Sequence, residues 1–183
     1  MKKLYTILFA LLVFAACTKD NTATTTQKKT LSYSTKDYNE SLTLWAQYKA
    51  SVKNTYTYTV LRSSFTGNNS ETKITVVNGA VTKRDYIYYQ YDLSTGTSIR
   101  VVLREWHETT GNLGSHTDEG AALLTIDDVY ANAKNVWLKA DPNTNDVYFE
   151  AKNDGLISTA GYVLKGCADD CFIGINITSV SSL

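Results

Sequence analysis

The chain has 183 residues, enough for one domain with a substantial core, and its 18 basic residues balance its 18 acidic ones. Without Lys2 and Lys3, which stand in an N-terminal leader, 16 basic residues face 18 acidic ones. This balance argues against a nucleic acid as partner, because such binding normally requires clustered positive charge.

The first 16 residues have the pattern of a secretory signal. Two lysines precede an apolar run over residues 4–14, and two alanines stand directly before Cys17. Export machinery reads such a basic start, a short apolar stretch and a small-residue cleavage site, and the run is too short to span a bilayer as a mature helix. We therefore expect residues 1–16 to be removed.

The sequence Phe14-Ala15-Ala16-Cys17 resembles the lipobox of bacterial lipoproteins, in which the cysteine becomes the lipidated N-terminus. The family usually has leucine where Phe14 stands. An ordinary secreted protein with a free Cys17 is the alternative. Residues 18–30 are polar and rich in threonine, which predicts that residues 17–33 form a lipidated cysteine and a flexible tether similar to those of lipoproteins from the Bacteroidota. The resemblance implies an outer-membrane lipoprotein on the periplasmic or the surface face.

Residues 34–183 are predicted to form a single α+β domain. Apolar residues recur every three or four positions between Ser34 and Asn54, which places them along one side of a helix that Ser34 or Thr35 can cap. The stripe comprises Tyr38, Leu42, Trp45, Tyr48 and Val52. Because it includes a tryptophan, we expect the helix to pack on a curved antiparallel sheet.

The period then changes to two, which is typical of strands. Strands are predicted over residues 55–60, 72–77, 80–91 and 98–107, and Asn78-Gly79 indicates a tight hairpin turn between the second and the third. These four strands would form a meander, in which Ile99, Val101 and Leu103 would share one face of the fourth.

The second half of the domain begins with a long polar loop over residues 108–120. Thr125 and Asp128 form a capping-box pattern that predicts a short helix reaching Trp137. Strands follow over residues 147–151, 156–164 and 172–180, with a turn at residues 153–155 between the first two. Ile173, Ile175 and Ile177 would face together.

Two clusters could bind a metal or form a covalent link. Cys167 and Cys171 lie four residues apart in an exported chain, which favours a disulfide over a zinc site. Residues 141–146 begin like a calcium loop, but Asp146 stands where an EF-hand requires glycine and Lys152 where it requires glutamate. A plain polar turn is therefore favoured, and no metal or other cofactor is predicted.

The histidines are candidates for catalysis. His107 and His116 are the two histidines of the chain, and both lie in or beside the long loop with Glu105, Glu108 and Ser115. Loops collect such residues in any case, and neither a Gly-x-Ser-x-Gly turn nor a His-Glu-x-x-His spacing occurs. A hydrolase or metal-dependent enzyme that uses the two histidines is the second hypothesis, and no catalytic residue is assigned.

The tyrosines are candidates for binding. Tyrosine is favoured at binding surfaces and is also a good strand former, so cross-strand packing is the alternative use. Six of the 13 tyrosines lie on two predicted strands and form the possible ligand face: Tyr56, Tyr58, Tyr86, Tyr88, Tyr89 and Tyr91.

The domain resembles a family of secreted bacterial proteins that is classified as a domain of unknown function. The resemblance rests on Leu44-Trp45, on residues 54–59, 74–81 and 125–130, and on the closing strand over residues 170–180, so it covers most of the mature domain. Members often carry a cysteine pair where this chain has Leu61-Arg62-Ser63-Ser64. The family implies no activity.

The first functional hypothesis is therefore a lipid-anchored, non-enzymatic module of the cell envelope. It would be held at the membrane through Cys17 and would bind a protein, a peptide or a glycan through its sheet or loops.

Overall fold

The computed structural model describes residues 34–94 and 96–183. The leader, Cys17 and the tether, whose properties are predictions from sequence, lie outside the described residues. Within them the chain forms two α-helices and seven strands, so β-structure predominates and the α+β prediction describes the fold only coarsely. Neither helix combines the length and the apolar content that crossing a bilayer would require.

Helix α1 spans Thr35–Ser51 and begins with a capping box, in which the Ser34 hydroxyl accepts from the Asp37 N–H. The predicted stripe is confirmed: Tyr38 and Trp45 are buried, and Leu42, Tyr48 and Val52 pack against the same core. The helix ends earlier than predicted, because Lys53 and Asn54 adopt positive φ angles of 52° and 54° and turn the chain towards the sheet.

All seven strands form one antiparallel sheet in the order β4-β3-β2-β1-β7-β6-β5. The predicted four-strand meander and its Asn78-Gly79 hairpin turn are therefore confirmed, with both turn residues at positive φ. The strands are β1 Tyr56–Ser63, β2 Asn68–Val77, β3 Ala80–Asp92, β4 Ile99–Thr109, β5 Asn145–Glu150, β6 Thr159–Leu164 and β7 Phe172–Ser182.

Helix α2 spans Ile126–Asn135, with the predicted capping box between Thr125 and Asp128. A 3-10 turn, Trp137–Lys139, follows it. Both helices cover one face of the sheet, which we call the helix-side face, and share a single core with it. The Asp127 carboxylate joins the two helices, since it accepts hydrogen bonds from Trp45 Nε1 at 3.1 Å and from Lys49 Nζ at 2.7 Å.

Strand β4 departs from its predicted pattern. Its pairing with β3 shifts between Tyr88 and Tyr89, which interrupts the alternation between Val101 and Leu103. Both of these side chains and that of Ile99 are exposed, because β4 is an edge strand. Ile99 and Val101 therefore share a face as predicted, since they pair with Asp92 and Gln90, whereas Leu103 lies at the register shift, where the alternation that the prediction assumed is interrupted.

The β6–β7 pair provides a test of the packing. Gly161 lies opposite Gly174, and a Cβ atom at Gly161 would stand 2.5 Å from the Ile173 carbonyl oxygen and 2.5 Å from Phe172 Cζ. We expect Gly161→Ala to lower the free energy of unfolding by about 1–3 kcal/mol, because the new methyl forces the strands or the ring to move. Urea denaturation measures the change.

Gly111→Ala is the matched control, because a Cβ atom there meets nothing within 4 Å. Equal destabilisation by both substitutions would contradict the packing that we describe for Gly161.

Candidate functional site

Strand β7 divides its hydrogen bonding between two neighbours. Its first half, up to Asn176, pairs with β6, and its second half pairs with β1, where the register ends at Val60 and Ile177. Beyond that point residues 61–63 of β1 have a strand partner only in β2. The two strands therefore diverge within the sheet.

A cavity of about 700 Å³ lies where these strands diverge. We call it the β1–β7 cleft, bounded by residues 61–64 on one side and 172–176 on the other. Asp170 bridges its far end, since its Oδ2 accepts from the Ser64 hydroxyl at 2.7 Å and its Oδ1 from the Phe65 N–H at 3.2 Å. Paired strands close one end of the cleft and this bridge closes the other.

The lining of the cleft combines aromatic rings with hydrogen-bonding groups. Trp137 comes from the 3-10 turn and Tyr88 from β3, while Asn68 and Ser70 come from β2. Ile173 also lines the cleft and is 51% exposed, although its neighbours in the alternation, Ile175 and Ile177, are buried. The volume is in the range of small-ligand sites, and polar and apolar groups contribute to the lining in about equal measure.

Arg62 is the cation of this lining. The other three arginines of the chain each pair with a glutamate: Arg84 with Glu108, Arg100 with Glu71 and Arg104 with Glu119. Arg62 forms no ion pair with a carboxylate of residues 34–94 or 96–183. Its register with Ser70 and then Tyr88 places it on the helix-side face, beside the cleft. Sequence reasoning missed Arg62, because nothing in its sequence neighbourhood distinguishes it from a solvated charge.

Most of the predicted tyrosine face is internal. Tyr56, Tyr58 and Tyr86 are buried on the helix-side face, and the first two use their hydroxyls to hold the segment that starts α2. The Tyr56 oxygen accepts from the Ile126 N–H at 3.0 Å, and the Tyr58 hydroxyl donates to the Leu124 carbonyl at 2.5 Å. Burial raises the pKa of Tyr56 to about 12. These three rings therefore pack in the interior of the domain.

The other three tyrosines of the predicted ligand face lie in different environments. Tyr89 is buried on the opposite face, donates to Glu71 at 2.9 Å and lies under the Arg100 guanidinium, which is 3.7 Å from its ring centre. Tyr91 packs edge-on against Tyr89 and is 49% exposed. Tyr88 alone of the six lines the β1–β7 cleft.

A buried ion pair organises the long loop after β4. Arg84 donates through Nε and Nη2 to both oxygens of Glu108 at 2.9 Å, while its Nη1 donates to the Ala121 carbonyl and its Nη2 also donates to the His116 carbonyl. Glu108 was predicted to belong to the surface loop, and this is wrong: it lies within β4, one residue before the strand ends, and its side chain is fully buried. The pairing register places the two residues opposite each other, which the sequence spacing does not reveal.

Glu108 also holds the loop itself. It accepts hydrogen bonds from the N–H groups of Gly114 and His116 and from the Ser115 hydroxyl. Burial alone would raise the pKa of Glu108, but the hydrogen bonds from Arg84, Gly114 and His116 outweigh it and hold that pKa well below its usual range. The ring of His116 stacks on Trp106 with 4.1 Å between centres.

The two histidines do not share a site. His107 lies in β4 and its Nδ1 contacts Asp85 at 2.7 Å, whereas His116 contacts Glu108 at 3.0 Å. Because His107 and Glu108 are consecutive in a strand, these two contacts lie on opposite faces of the sheet. Ser115 approaches the same His116 nitrogen that contacts Glu108, so the relay of a nucleophile and an acid through opposite ring nitrogens is not formed.

The remaining candidates are local turns. Cys167 and Cys171 form a disulfide with Cα atoms 6.3 Å apart, in the segment that carries Asp170 to the cleft. Asp141 accepts the Asn143 N–H at 2.9 Å, as in an ordinary polar turn. Across residues 34–94 and 96–183 no group of three acidic, histidine or cysteine side chains is placed to hold a metal ion.

The chain was compared with protein-family models, with curated proteins and with solved structures, and none of the three comparisons finds a match. The functional conclusion therefore rests on the geometry of the domain.

The buried pair predicts how stability depends on pH. Glu108→Gln leaves Arg84 buried without its counter-charge, so we expect the free energy of unfolding at neutral pH to fall by about 3–5 kcal/mol. The folded-state pKa of Glu108 lies below the unfolded one, so its contribution is complete above the ordinary glutamate pKa of about 4.3 and is lost as the pH falls towards the folded pKa. Denaturation by urea at several pH values measures both effects.

The variant should therefore show a shallower loss of stability below about pH 4.5 than the parent chain. Glu105→Gln, on the exposed part of the same strand, is the control and should leave the neutral stability and the acid profile nearly unchanged. An acid profile of Glu108→Gln that matches the parent would contradict this role.

Proposed function

We propose that this protein is a lipid-anchored, non-enzymatic binding module of the bacterial cell envelope, and that its ligand occupies the β1–β7 cleft. The observation that carries the proposal is the cleft itself: a cavity of about 700 Å³ lined by Trp137, Tyr88, hydrogen-bonding side chains and an arginine. A rigid sheet positions most of this lining, so little ordering is needed when a ligand binds.

The position of the rings supports a direct role in binding. Trp137 and Tyr88 come from different parts of the chain and meet at the same cavity, while Trp45 and Trp106 are buried elsewhere. Aromatic rings in a partly exposed cavity gain contact area at low entropic cost when a ligand covers them. The alternative enzyme, which would use His107 and His116, gains no support from two imidazoles on opposite faces of a sheet.

The anchor is the second part of the proposal. The lipobox-like leader supports acylation of Cys17, and several acyl chains, at about 0.8 kcal/mol per buried methylene, would hold the domain at the membrane. The tether would then separate the domain, which begins at Ser34, from the lipid surface. Bacterial outer-membrane lipoproteins are the class that this arrangement resembles, with the domain on the periplasmic or the surface side.

Fractionation of the native host tests the anchor. The parent chain should be found in the membrane fraction, with an N-terminus at acylated Cys17 by mass spectrometry, and Cys17→Ser should move to the soluble fraction. Cys167→Ser is the control and should stay with the membrane, because it removes a cysteine that carries no lipid. A mature chain that retains Met1, or that is soluble with Cys17 intact, would contradict the anchor.

Titration with small ligands tests the cleft. Sets of short peptides and of oligosaccharides are added to the full chain, purified in detergent, while Trp137 fluorescence and chemical shifts are followed. A ligand in the cleft should change the emission of Trp137, and Tyr88→Ala should weaken binding by about tenfold or more, in line with a loss of 1.4 kcal/mol or more.

Tyr91→Ala is the matched control, since Tyr91 lies on the same strand but on the other face of the sheet. The proposal fails if neither set perturbs Trp137, or if the two tyrosine variants weaken binding equally.

A further inference from the structure

The two walls of the β1–β7 cleft are open strand edges. Residues 61–63 of β1 pair only with β2, and residues 172–176 of β7 pair only with β6, so each wall presents main-chain groups to the cavity without a strand partner there. Strand edges of this kind bind extended peptides, because the peptide supplies the missing main-chain hydrogen bonds.

The length of the opening suits a short segment. Three residues of an extended chain span about 10 Å, which matches the three residues of β1 that have lost their β7 partner. The Val60–Ile177 pairing limits the opening at one end and the Asp170 bridge at the other. A segment of about three residues therefore fits between these limits.

The charges of the cleft indicate the side chain that such a peptide carries. Arg62 has no carboxylate partner in the described part of the chain, although the three other arginines have one each. Asp170 also lines the cleft, but both of its oxygens already accept hydrogen bonds from Ser64 and Phe65. A guanidinium binds a carboxylate through two parallel hydrogen bonds, so an acidic group is its natural complement.

We propose that the ligand of the β1–β7 cleft is a short extended peptide segment whose carboxylate pairs with Arg62. This inference rests on the proposed function and names its ligand class. The main chain of the peptide pairs with the open edge of β1 or β7, an apolar side chain packs on Trp137 and Ile173, and the carboxylate reaches Arg62. The carboxylate belongs to an acidic side chain or to a C-terminus, and the test separates these two sources.

Three matched pentapeptides test the inference on the full chain in detergent. One carries a central glutamate with both ends blocked, one carries glutamine instead, and one carries glutamine with a free C-terminal carboxylate. At least one of the two acidic peptides should bind about tenfold more tightly than the neutral peptide, as expected for one charge-assisted hydrogen-bonded pair. The tighter of the two identifies the source of the carboxylate.

Arg62→Gln should abolish the preference for the acidic peptides, so that all three peptides bind with affinities within about twofold of one another. Arg62→Lys should restore part of the preference, since it keeps the charge and loses the paired hydrogen bonds. Arg100→Gln is the control, because Arg100 already pairs with Glu71 and contacts Tyr89 on the other face, and it should retain the full preference. A peptide with N-methyl groups along its main chain should bind weakly to every variant.

The outcomes separate this inference from the proposed function. Peptide binding with no preference for a carboxylate, or a preference that Arg62→Gln retains, overturns the role of Arg62 and leaves the binding cleft in place. Oligosaccharides that perturb Trp137 when all three peptides fail overturn the peptide class. If no ligand of either set perturbs Trp137, the proposed function and this inference both fail.

Discussion

The change of partner along β7 is the constraint on which the architecture depends. The first half of this strand bonds β6 and its second half bonds β1, so one strand holds the four-strand meander and the β5–β6 hairpin in a single sheet. A strand that changes partner in this way leaves part of each edge without a neighbouring strand. The part of β7 that does not pair with β1 borders the β1–β7 cleft. The change of partner that joins the two parts of the sheet therefore also leaves the cavity.

Polar groups contribute to packing on the helix-side face in addition to the apolar core. Glu108 forms hydrogen bonds with Arg84 and with the loop around His116, while the hydroxyls of Tyr56 and Tyr58 form hydrogen bonds with the segment that starts α2. Each of these four buried groups has a hydrogen-bond partner, as low-dielectric surroundings require. These contacts order the segments between β4 and α2 and leave Tyr88, Arg62 and Trp137 to line the cavity.

Local sequence patterns predicted the helices, strands and turns well, but they predicted strand register and burial poorly. The stripe of α1, both capping boxes and the Asn78-Gly79 turn are properties of a few adjacent residues, and the structure contains all of them. The alternation of β4 failed because a register shift depends on how a neighbouring strand pairs. For the tyrosines, the sequence placed six on two strands, but burial of Tyr56, Tyr58, Tyr86 and Tyr89 depends on which elements cover each face.

The sequence by itself determined the types and the order of the elements, because periodicity, caps and turn residues act over less than one turn of helix or one hairpin. It also contains the lipobox-like leader from which the anchor is proposed. Tertiary structure alone decided that Arg84 meets Glu108 and that Arg62 shares a cavity with Tyr88 and Trp137. These residues lie far apart along the chain, and only the pairing of β1, β3 and β4 with their neighbours brings them together, since long-range register has no local signal in the sequence.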